Sequence, residues 1–111
     1  MTEHADRIHR DAIVRLSDLT LTGNIIEAVT FTNCLIVGPA VILILGATSL
    51  EECSWDAPGP RALFWEIDDA RSEIVGAVGL LDCTFSACRF TNVGIGAHRK
   101  DLPKLQAGFG L

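Results

Sequence analysis

Tyrosine is absent, methionine occurs once, and charged residues make up only 21% of the 111-residue chain. Sparse charge beside 49% hydrophobic residues excludes an intrinsically disordered chain, because so apolar a sequence buries its surface. Basic residues are also short: 9 Lys and Arg stand against 14 Asp and Glu, for a net charge of −5. That balance excludes a general affinity for nucleic-acid phosphates or anionic membranes. The length excludes a cofactor domain beside a substrate domain and fits one domain over 1–111.

Several chemical signatures are missing as well. The first fifteen residues, MTEHADRIHRDAIVR, hold no apolar core of a secretory signal, which predicts a cytoplasmic chain. Cys34, Cys53, Cys83 and Cys88 are then expected to be reduced thiols acting as small core hydrophobes. They form no CxxC, and the histidines (His4, His9, His98) sit near the termini, so no metal site is expected. There is no GxSxG, and Gly94 and Gly96 in VGIGA read as repeat residues, not a phosphate cradle. No cofactor and no enzyme activity are expected. The uncharged run between Glu27 and Glu51 contains CLIVGPAVILILGA, but Gly38-Pro39 interrupts it and its strictly apolar part is too short to span a bilayer.

What is present is a five-residue period. Four pentads run from Leu19 to Gly38 (LTLTG, NIIEA, VTFTN, CLIVG) and four from Val78 to Ala97 (VGLLD, CTFSA, CRFTN, VGIGA). Two more, TSLEE and CSWDA, cover Thr48 to Ala57. The third place is always large and apolar: Leu21, Ile26, Phe31 and Ile36, then Leu80, Phe85, Phe90 and Ile95. The first place is usually small or medium-sized and apolar. Ile36, Trp55, Val75 and Ile95 carry the phase along the chain at intervals of 19, 20 and 20 residues.

A period of five suits neither a helix nor a long strand. It suits a chain that turns a corner every five residues and stacks each coil on the one before at about 4.8 Å. The pentads of 19–38, 48–57 and 78–97 resemble the pentapeptide-repeat family, although Cys, Val and Leu replace the alanine usual in the first place. The resemblance implies an all-β fold, a short right-handed parallel β-helix or solenoid. The expectation is about four irregular coils over 17–97, with both Gly-Pro pairs at strand starts or corners.

Open end coils need covering. Ala5, Ile8, Ala12 and Leu16 recur at helical spacing and predict an N-terminal capping helix over 1–16 that carries His4 and His9. The tail, 98–111, holds Leu102, Leu105, Phe109 and Leu111 behind a basic stretch, and reads as a cover for the last coil or a reach to a neighbouring subunit.

Seven acids between Glu51 and Glu73 against Arg61 and Arg71 account for the whole net charge, and the tail is mildly basic. The two regions read as solvated surface or as contacts between subunits. Within FWEIDDARSE, the residues Phe64, Trp65, Glu66, Asp68, Asp69 and Arg71 are the candidate interaction surface. In a strand one of Phe64 and Trp65 points in and the other out, unless a bulge turns both inward.

The function expected is a non-catalytic interaction or assembly module that forms a homo-oligomer, with no nucleic-acid or membrane partner. The resemblance implies one alternative, an acidic mimic of DNA acting on a topoisomerase. Clustered carboxylates on a β-helix wall suggest another, a carbohydrate-active enzyme.

Overall fold

In six of the ten pentads (NIIEA, VTFTN, TSLEE, VGLLD, CTFSA and CRFTN) a small or polar first residue, three residues of strand and one left-handed corner follow in turn. The computed structural model describes residues 7–71 and 74–108. Its elements are β1 (Ile8–Arg10), β2 (Ile13–Arg15), a 3-10 helix (Leu16–Leu19), β3 (Ile25–Glu27), β4 (Thr30–Thr32) and β5 (Leu35–Leu45). There follow β6 (Ser49–Glu51), β7 (Ser54–Trp55), a single turn α1 (Pro60–Leu63), β8 (Phe64–Ile67), β9 (Ala77–Leu81), β10 (Thr84–Ser86), β11 (Arg89–His98) and α2 (Leu102–Gly108). Corners fall at Asp11, Ala28, Asn33, Glu52, Asp82, Ala87 and Asn92, all with φ between 52° and 60°. Asp and Asn enter that region readily, whereas Ala28, Ala87 and Glu52 carry a strain of about 1–2 kcal/mol each.

All strand pairs are parallel, and they form a four-stranded sheet ordered β1-β4-β10-β6 and a seven-stranded sheet ordered β3-β9-β5-β11-β7. In the larger sheet β2 also pairs with β5, and β8 with β11. The order is not sequential. β10 and β11 lie between strands of 30–45 and those of 49–67, whereas β9 lies between β3 and β5: Thr30 pairs with Thr84, and Thr84 pairs in turn with Ser49. This overturns the right-handed solenoid of four successive coils, in which each coil would pair with the next in sequence. The molecule is a globule of 39 × 27 × 23 Å built from two parallel sheets. Residues from both sheets join in one apolar cluster.

The best-patterned segments are matched with each other. Phe31 stacks on Phe85 with centroids 4.6 Å apart and planes 5° apart, and Phe90 stacks on Trp55 at 3.9 Å. Phe85 of β10 thus lies between Phe31 and Leu50, and Phe90 of β11 between Ile36 and Trp55. Two residues break the inward pattern. Leu21 is 83% exposed and Val75 fully so, which removes Val75 from the 20-residue phase.

The N-terminal helix is also corrected. Residues 8–10 and 13–15 are strands joined by a left-handed corner at Asp11, so the corner rule prevails over helical spacing there. His9 lies in β1 and stacks on Phe31 at 5.1 Å, with its Nε2 buried and unpartnered. His4, Ala5, Glu73, Phe109 and Leu111 lie outside the described residues. Gly38-Pro39 falls inside β5 and not at a strand start; its peptide is cis, and the ladder to β11 shifts register between Thr91 and Val93. In the tail, Leu102 and Leu105 of α2 pack against the chain's own core.

Candidate functional site

A strand whose two faces are both apolar needs a cover on each. In β5 Ile42 faces the core, while Val41, Leu43 and Leu45 face outward and are only partly covered. One row across the seven-stranded sheet runs Ile25, Gly79, Leu43, Gly96, Trp65. The glycines make room in this row. A Cβ on Gly96 would come within 2.9 Å of both Ile67 Cδ1 and Leu43 Cδ2.

Over this face lies a groove of about 580 Å³. Leu43, Leu45, Gly96 and Ile67 form its floor, and Ile74 and Leu105 add apolar walls. Among the described residues its polar lining is Arg71, His98, Asp101 and Lys104, two cations against one carboxylate besides the imidazole. Among the described residues the only ion pair is Arg99 with Glu66, so neither Arg71 nor Lys104 is neutralised by a described carboxylate.

The segment after β8 is held to the tail by hydrogen bonds. His98 Nε2–H donates to the Arg71 carbonyl oxygen at 2.6 Å, and the Lys100 backbone N–H donates to Asp69 Oδ1 at 3.0 Å. Arg99 Nε donates to Glu66 Oε2 at 2.9 Å, and that carboxylate holds the guanidinium more firmly protonated. Asp68 Oδ1 accepts from the Ala70 N–H at 2.9 Å and shapes the turn. The acidic middle and basic tail therefore meet within one chain.

Of the six candidate residues, Phe64 is buried and Trp65 is 59% exposed, with no bulge turning both inward. Trp65 lies over Gly94, where a Cβ would stand 2.9 Å from the indole Nε1. Glu66, Asp68, Asp69 and Arg71 surround the contacts with 98–100. Sequence reasoning missed the groove residues Leu43, Leu45, His98 and Lys104. The unbroken apolar run PAVILILGA was the available signal, since a strand apolar on both faces is covered on both.

The cysteines share one geometric role. Cys34 Sγ donates to the His9 carbonyl at 3.4 Å, Cys88 to that of Phe31 at 3.5 Å and Cys53 to that of Phe85 at 3.7 Å. Each thiol reaches the inward-facing residue of the neighbouring strand. Burial pushes the thiols of Cys53, Cys83 and Cys88 up from their ordinary value, which suits a packing role and not a nucleophile.

Among the described residues no group of three His, Cys, Asp or Glu is placed to hold a metal ion, and no helix is long and apolar enough to cross a membrane. No family model, curated protein or solved structure matches this chain. The likeness to pentapeptide repeats thus rests on the pentads alone.

Proposed function

We propose that the protein is a non-catalytic assembly module that self-associates through the outermost strands of its sheets. One observation carries this reading. Among the described residues β1, β2, β3 and β8 each have a single strand neighbour, and each exposes a large apolar side chain: Ile8 59%, Ile13 73%, Ile25 48% and Trp65 59%. An open strand edge flanked by apolar side chains is a template for pairing with another chain.

Charge favours a second copy as that chain. Arg10 and Arg15 lie on β1 and β2 at one end of the sheets, while Glu51 lies on β6 at the other; Glu66 of β8 is already paired with Arg99. A head-to-tail contact would bring opposite charges together, and its strength would fall with salt.

Size-exclusion chromatography with light scattering, in reducing buffer at low and high salt, tests the proposal. A mass of two or more chains is expected, larger at low salt and reduced in Ile13→Asp. A monomer of 11.9 kDa at both salts, up to millimolar protein, overturns it.

A further inference from the structure

We propose that the groove over the seven-stranded sheet is a binding site for an amphiphilic organic anion, a carboxylate on an unbranched aliphatic chain. The inference is independent of self-association. Three features of the site select this chemistry.

The first is size. About 580 Å³ lies within the range of small-ligand sites, and the absence of a side chain on Gly96 gives Ile67 and Leu43 their space at the groove floor. The second is the lining, in which Leu43, Leu45, Ile67, Ile74 and Leu105 supply apolar contact for an alkyl chain.

The third feature is charge. Among the described lining residues Arg71 and Lys104 are cationic and Asp101 is the one carboxylate, in a chain whose net charge is −5. A local cationic excess beside an apolar floor complements a head group that is anionic and a tail that is not. The His98 bond to the Arg71 carbonyl and the Lys100 bond to Asp69 hold this wall of the groove against the tail. Neither bond uses the Arg71 or Lys104 side-chain nitrogens, and no other described residue bonds them.

The test is isothermal titration of the full chain with octanoate, decanoate and dodecanoate, each below its micelle concentration. Decan-1-ol and decyltrimethylammonium serve as head-group controls. Saturable binding of the carboxylates is expected, with affinity rising about fourfold per added methylene until the groove is filled. The alcohol is expected to bind at least tenfold more weakly and the cation more weakly still.

Arg71→Glu combined with Lys104→Glu, both at exposed positions, is expected to leave the circular dichroism spectrum unchanged and lower decanoate affinity at least tenfold. Methyl NMR is expected to place the ligand-induced shifts on Leu43, Leu45 and Ile67. Absence of saturable carboxylate binding overturns the proposal. So does equal affinity for the alcohol, an unaltered affinity in the folded double variant, or shifts confined to another surface.

Discussion

Replacing Phe31, Phe85 and Leu50 singly and in pairs tests which strands are neighbours. Phe31 and Phe85 stack at 4.6 Å with nearly parallel planes, and Leu50 lies on the far side of Phe85. Two strand spacings, ~9.6 Å, separate the strands of Phe31 and Leu50. Phe31→Leu and Phe85→Leu are each expected to cost about 1–2 kcal/mol. A stacked aromatic pair contributes about 0.5–1.5 kcal/mol beyond its buried area. The double variant should therefore be less destabilised than the sum of the singles by that amount. Phe31→Leu with Leu50→Ala, which share no direct contact, should add to within about 0.5 kcal/mol. Urea unfolding at equilibrium measures all the terms. A Phe31–Leu50 coupling equal to or larger than the Phe31–Phe85 coupling would refute the interleaved order.

His9→Phe removes a buried, unpartnered Nε2 and keeps the ring on Phe31; a gain of about 1 kcal/mol and a Tm several degrees higher are expected, and a lower Tm refutes the assignment. Gly38→Ala drives a methyl group into the Asn92 carbonyl, backbone against backbone, and should cost about 3 kcal/mol or more in the same urea assay. The folded chain holds the protons of Cys53, Cys83 and Cys88 more tightly than the unfolded chain does. Their contribution to stability is therefore full below about pH 9 and is lost as pH rises above it, so Tm measured from pH 8 to 10.5 should fall at the alkaline end. Breaking the exposed Glu66–Arg99 pair with Glu66→Gln should leave Tm within error of wild type; a drop of several degrees would show that the pair holds the tail in place.

The pentads made the local structure legible. Ile26, Phe31, Ile36, Leu80, Phe85, Phe90 and Ile95 occupy the core as their third-place positions require, and the small first-place residues follow each corner. The N-terminal segment misled because Ile8, Ala12 and Leu16 satisfy helical spacing, while Asp11, at the end of β1, could supply a left-handed corner. Within the candidate site, the cluster from Glu66 to Arg71 was visible as a concentration of charge. Its partners were not, because His98, Arg99 and Lys100 approach it only when β11 lies beside β8.

Sequence alone determined the repeat unit, because side-chain alternation, corner conformation and the inward apolar residue are all settled within five residues. It also pointed to parallel strand pairing, though not to the two sheets that the strands form. Which segment lies beside which was decided only in three dimensions. A short repeat is degenerate: any pentad can stand next to any other in register, and no local rule ranks the pairings. The choice fell to contacts between distant residues, above all Phe31 on Phe85 and Phe90 on Trp55, and the placing of β11 between β5 and β8 brought the groove residues together.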